Sequence, residues 1–210
     1  MTSHLRTDFT SWKVDLKGQS DFHMGSFTLT PSVALIGGQS DNNNSLSQLL
    51  TQSFAGAAFG TDTYNANVKL HSDDGGAKLG LDTNASVTHW LSVGFGGSVG
   101  EVYRSASLTG NDAFVQAPTS FVTRPTRSSI SKAGSTGAFL ANFEAHAEIS
   151  PIPGVLIRAF FGADFDSAVA GVSTPSFTGG IGSPTSATPA NVRFNAESGW
   201  YVGGGTVVRF

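Results

Sequence analysis

The chain has 210 residues, enough for one domain, and only 13% of them are charged, well below the usual quarter or so of a soluble domain. No stretch approaches the run of about 18 apolar residues that marks a membrane-spanning helix, and a net charge of −3 gives no electrostatic footprint for nucleic acid. Twenty-six Gly and sixteen Phe, with plentiful Ser, Thr and Asn, are poor helix material and good strand-and-turn material.

Met1 to Arg6 shows no basic segment followed by an apolar stretch, so no export signal is read there. A mature form, a truncated form or a fragment of a longer protein is expected. Cys is absent, which fits a fold that does not need it and equally an oxidising compartment.

Two-residue alternation, the signature of strands, starts at 8–17. There Trp12, Val14 and Leu16 oppose Lys13, Asp15 and Lys17. A second strand near 26–37 carries Phe27, Leu29, Val33 and Leu35, with Pro31 implying an edge or a bulge. Residues 38–60 fit no strand and read as irregular, with a short helix at 45–54 or strands out of place. Strands near 61–71 and 77–88 follow, and the apolar parity switches between them across Asp73-Asp74-Gly75-Gly76, as at a turn or bulge.

The next strand, near 91–104, alternates Leu91, Val93, Phe95 and Val99 with Ser and Gly. Residues 105–134 read as a long loop. Two strands near 136–149 and 155–168 flank a Pro-Ile-Pro-Gly turn, each long enough for the roughly 9–11 tilted residues that cross a bilayer core. A second long loop, 169–190, leads to a final strand near 191–210, whose alternation runs unbroken from Val192 to Phe210.

Eight strands joined by alternately short and long connections predict an all-β fold, an antiparallel transmembrane β-barrel, either whole or the C-terminal part of a longer one. Residues 1–210 form its single domain. Putting Phe210 on the periplasmic side puts both long loops outside. A soluble β-sandwich also alternates, but its strands are shorter. The predicted interior charges are Lys78, Asp82, Glu144, His146, Glu148, Arg158, Arg193 and Glu197. Trp12, Tyr64, Trp90, Tyr103 and Trp200 are candidates for an interfacial aromatic belt.

The chain ends Gly-Trp-Tyr-Val-Gly-Gly-Gly-Thr-Val-Val-Arg-Phe. This resembles the C-terminal signature of Gram-negative outer-membrane proteins, with Phe210, Val208 and Val202 matching and Trp200 beginning the run. Thr206 and Gly204 match less well, and Val208 stands where an aromatic is common. Residues 77–109 and 136–210 are similar in style to the C-terminal parts of porin-like or autotransporter-like proteobacterial barrels. The resemblance implies a bacterial outer-membrane location, a bilayer with lipopolysaccharide as surroundings, and recognition of the last strand by the barrel-assembly machinery.

No nucleotide loop, zinc spacing or nucleophile elbow occurs, and no cofactor or metal is expected. Glu144, His146, Glu148 and Arg158 share a face, with Arg158 expected opposite or diagonal to His146 or Glu148. They read as an interior salt-bridge network, or as a base or metal ligand at His146. Arg124, Arg127 and Lys132 in the 105–134 loop, with Arg104 at its root, suit contact with lipopolysaccharide phosphates, folding inward as a constriction, or a solvated loop. The expected function is a non-enzymatic barrel for passive permeation or membrane anchoring. Permeation would need more strands than this chain has. The alternatives are a barrel enzyme acting on lipid or peptide and a soluble adhesin.

Overall fold

The computed structural model describes residues 2–54, 57–115, 126–152, 155–173, 176–178 and 186–208. Its strands are β1 (Thr2–Gln19), β2 (Phe22–Met24), β3 (Phe27–Phe54), β4 (Ala57–Ser86), β5 (Leu91–Val115), β6 (Thr126–Ile152), β7 (Val155–Val172), β8 (Ser176–Thr178), β9 (Ser186–Thr188) and β10 (Val192–Val208). The described residues contain no helix. One antiparallel eight-stranded sheet runs β1-β3-β4-β5-β6-β7-β10, with β2 pairing β3 beside it; β8 and β9 form a separate hairpin. The sheet is open, because β1 and β10 do not pair with each other. The predicted antiparallel all-β fold therefore stands, while closure does not occur within the described residues.

The strands are longer than the alternation suggested. Residues 61–71 and 77–88 belong to one 30-residue strand, β4, and its register with β3 and with β5 passes through Asp73 to Gly76 without a shift. No turn or bulge lies there. Residues 38–54 are neither irregular nor helical but are the upper half of β3, paired to β4 up to Phe54↔Ala57. Most of the expected 105–134 loop is likewise strand, with β5 and β6 paired from Leu91↔Ile149 to Phe114↔Thr126.

Once the two pieces of β4 are joined, the connections sort by end. The ends of β1, β4 and β6 and the starts of β3, β5 and β7 lie together at one end, the turn end; the ends of β3, β5 and β7 and the starts of β4, β6 and β10 lie at the other, the loop end. In the 87–90 turn the amides of Val87 and Thr88 donate to the Leu91 carbonyl at 2.9 and 3.0 Å. In the β2–β3 hairpin Gly25 adopts φ 63°, a conformation that disfavours any side chain. Pro31 sits between the end of the β1 pairing and the start of the β2 pairing: its carbonyl accepts from the Ser20 amide at 3.3 Å, and its missing N–H falls where pairing on that side of β3 is interrupted.

β10 is not one uninterrupted face. The register with β7 shifts between Asn195 and Glu197. Below the bulge, Trp200 and Val202 are exposed outward. Above it, Val192 and Phe194 pack inward, so the even positions change faces, as a bulge requires.

The chemistry of the faces inverts along the strands. In β4 toward the turn end, outward Leu79 and Leu81 are exposed, while inward positions are Lys78, Gly80 and Asp82. Toward the loop end the same inward parity carries Tyr64, Ala66, Val68 and Leu70, all buried, and the outward residues are Asn65, Asn67 and Lys69, all exposed. The backbone parity never changes; only the residue types swap across Asp73 to Gly76. The inward apolar residues form a cluster of Val68, Leu70, Ala106, Leu108, Ile130 and Ala190, with Ala170, Val172, Val192 and Phe194 packed on it. Nearer mid-height, Ile36 of β3 and Phe194 of β10 share a second cluster with Val102, Ala138 and Ala168. Side chains from opposite walls thus meet, and the sheet is a narrow trough.

Candidate functional site

The polar concave face of the turn-end half is the candidate site. Cross-strand pairing aligns its residues in rows. One row runs Thr30, Asp82, Gly96, Glu144, Gly162, Tyr201; the next runs Thr28, Asn84, Gly94, His146, Phe160, Gly203. Glycine recurs because neighbours lie flat over it. A methyl group on Gly96 would strike the Asp82 carboxylate, one on Gly94 the His146 ring, and one on Gly162 the Tyr201 phenol. The small inward residues thus make room for long ones rather than widening a path.

The charges pair across strands. Arg158 lies directly opposite Glu148, reaching Glu144 at 2.7 Å and Glu148 at 3.5 Å. Lys78 pairs with Asp15 of β1 at 2.7 Å. Asn142 donates to Asp164 at 2.7 Å and to Tyr201 at 2.9 Å. Asp15, Lys17, Lys78, Asp82, Glu144 and Arg158 line a groove of about 480 Å³.

His146 stands apart from the groove. Its side chain is 2% exposed and its Nδ1 is 4.0 Å from Glu144, with no hydrogen-bond partner among the described residues. Phe160, not Arg158, is its direct partner on β7. The described residues hold no group of three or more His, Asp or Glu side chains placed to bind a metal. A base must reach its substrate's proton, and the groove lining includes Glu144 and Arg158 but not His146.

At mid-height the interior is crossed by Arg104. Its guanidinium contacts Asp74 at 2.7 Å and Asp166 at 2.9 Å and also donates to the Ala168 carbonyl. Its side chain is 6% exposed, so the expected contact with lipopolysaccharide is corrected for this residue: Arg104 points into the trough. Arg127 and Lys132 lie in β6 and are exposed, rather than in a loop. Arg124 lies outside the described residues.

The other predicted residues scatter. Arg193 is exposed beside the inward-packed Val192 and Phe194. Glu197 is exposed on the edge strand and borders a second cavity with Lys13, Asp164 and Asp166. Trp200 and Val202 lie on the outer face. Val208 pairs with Val155, and Phe210 lies outside the described residues. Tyr64 is no belt residue; it is buried and donates to Asp112 at 3.1 Å.

A further cluster went unread in the sequence. On the outer face of the loop-end half, His71 lies between Asp41 at 2.8 Å and Asp73 at 3.2 Å, and Lys69 reaches Asp41 at 3.3 Å. The hydrogen bond to Asp41 leads in raising the His71 pKa above its ordinary value, with burial opposing; the bond to His71 likewise leads in lowering that of Asp41. Asp41 falls in the 38–60 segment, where the sequence shows no alternation, so nothing in the sequence signals its alignment with His71.

Comparison with known protein families, curated proteins and solved structures finds no match to this chain.

Proposed function

We propose that the chain is a membrane-inserted β-barrel protein of the bacterial outer-membrane type, acting as an anchor or scaffold rather than as a pore or an enzyme. The polarity inversion along β4 carries this reading. An outward apolar surface confined to one half of the strands suits lipid, and an outward polar surface with an apolar interior in the other half suits water outside the bilayer.

The neighbouring strands repeat the pattern in the same rows. Val99, Ala141 and Phe165 align, as do Phe95, Ala145, Phe161 and Val202. On β5 the outward positions from Leu91 to Tyr103 are apolar or Gly except for Glu101. At about 3.3 Å per residue and a tilt near 45°, they rise roughly 28 Å, close to the apolar band of such barrels, with Glu101 next to the far margin. Trp90 at the turn and Tyr103 at the far margin are both exposed, where interfacial aromatics belong.

The anchor role is favoured over permeation by what fills the trough. Arg104 with its two carboxylates and the apolar cluster beyond it leave little room for a water path, as expected of a barrel near eight strands. Reconstitution into phosphatidylcholine vesicles with brominated acyl chains tests the reading. Quenching of Trp200 fluorescence and no steady conductance in planar bilayers are expected. A chain that stays in the aqueous phase without detergent, its tryptophans unquenched, would overturn it.

A further inference from the structure

The two free edges of the sheet run in the same direction. Seven long strands are joined by six antiparallel pairings, from β1/β3 to β7/β10. Both β1 and β10 therefore descend from the loop end to the turn end. They cannot close on each other antiparallel. Two copies related by an axis along the membrane normal would likewise meet β1 to β10 in parallel. An all-antiparallel closure requires an odd number of additional strands that ascend.

The width of the trough limits that number. Ile36 and Phe194, from opposite walls, pack in one cluster, and Lys13 of β1 lines the same cavity as Glu197 and Ser198 of β10. The two edges therefore border one cavity, which favours a single added strand over three or five.

We propose that one ascending β-strand, from polypeptide outside these 210 residues, seats between β1 and β10 and completes an eight-stranded barrel. Its chemistry is set by the edges it joins. β1 and β10 span 18 and 17 residues, so the missing strand has similar length. In the turn-end half its outward positions are apolar, to continue Val14 and Leu16 on one side and Trp200 and Val202 on the other. Its inward positions meet Lys13 and Lys17 on β1 and Glu197 on β10, which have no ion-pair partner among the described residues. An acidic group toward β1 and a basic group toward β10 complement them. The need for closure rests on the membrane reading above, because lipid leaves no water for unpaired backbone groups.

The chain has no Cys, so an engineered pair reports cleanly. Val14→Cys with Ser198→Cys puts one thiol on each edge near the shared cavity. One missing strand separates the edges by two inter-strand spacings, about 10 Å, beyond the roughly 7 Å reach of a disulfide. In vesicles, a bismaleimide of about 10 Å should bridge the two thiols within one chain, while an oxidant should not. Alternate amides of β1 and β10 should exchange much faster than those of β4 and β5. A disulfide within one chain would overturn the proposal in favour of direct parallel closure. A disulfide between chains would overturn it in favour of a second copy, and no bridging by either reagent would mean a wider gap. Lipid quenching in the same vesicles reports insertion separately, so failure of the membrane reading is told apart from failure of the geometry.

Discussion

Arg104 and Asp166 meet at 2.9 Å although β6 runs between their strands. The contact is possible because β6 offers small Ala138 at that height and because the sheet curls tightly. With Asp74 on the other side, the guanidinium satisfies two carboxylates in a site that excludes most water.

Arg104→Met should therefore be strongly destabilising. It would leave Asp74 and Asp166 facing each other with no cation, and breaking a buried pair costs about 3–5 kcal/mol. Urea unfolding in detergent micelles would measure it. Adding Asp74→Asn and Asp166→Asn to the variant should recover a large part of the loss. No recovery would mean that the arginine acts through packing rather than charge.

The glycines of the concave face differ in how much room they have. A methyl group on Gly162 would run into the Tyr201 ring and lie 2.7 Å from the Phe143 carbonyl, whereas nothing lies within 4 Å of one on Gly205. Gly162→Ala is expected to cost about 1–3 kcal/mol, as overpacking does, and to shift Tyr201 away from Asn142 and Glu144. Gly205→Ala should stay within about 0.5 kcal/mol. Equal effects in thermal or urea unfolding would contradict the flat-lying arrangement of the phenol.

The turn-end half of the molecule was legible in the sequence because one face there is apolar and the other polar. Arg158 opposite Glu148, the short turns and the outward Phe residues all follow from that alternation. The loop-end half was misread for two physical reasons. In β4 the apolar residues move from the outward to the inward face, and without coordinates such a swap looks like a change of backbone parity; Asp-Asp-Gly-Gly at the crossing made a turn the natural reading. In β3, residues 38–48 place Ser40, Asn42 and Asn44 inward and Gln39, Asp41 and Asn43 outward, so no hydropathy alternation remains to be seen. Arg104 was misjudged as a consequence, since its partners Asp74 and Asp166 were assigned to a supposed turn and to a separate strand.

The His71 cluster predicts a pH dependence. The folded-state pKa of His71 lies above its ordinary 6.5, chiefly through the bond to Asp41. Its contribution to stability is therefore complete below about pH 6.5 and fades as pH rises through the folded value. Asp41 has the opposite sign: its lowered pKa gives a contribution present above 3.8 and lost as pH falls through the folded value. Proton NMR of the His71 ring should show a midpoint above 6.5, and Asp41→Asn should bring it back toward 6.5. A His71→Gln chain should lose the decline in stability on the alkaline side; the same decline in both proteins would remove His71 as its source.

The polarity inversion makes a contrast within a single strand. Leu79 and Asn67 are both outward on β4 and both exposed, so in water neither side chain would resist a lysine. In lipid they would differ. Leu79→Lys then puts a charge within the apolar band, at a cost of about 2–4 kcal/mol near the bilayer midplane. Asn67→Lys lies six same-face rows beyond Leu79 on the loop-end side, among Lys69, Asp41 and other solvated groups, and should change stability by less than about 0.5 kcal/mol. Equilibrium refolding into phosphatidylcholine vesicles measures both. A large penalty at Leu79 and none at Asn67 is the expected outcome, because the swap between faces along β4 then coincides with the margin of the bilayer. Equal small effects at the two positions would mean that both face water, and the apolar band would need another explanation.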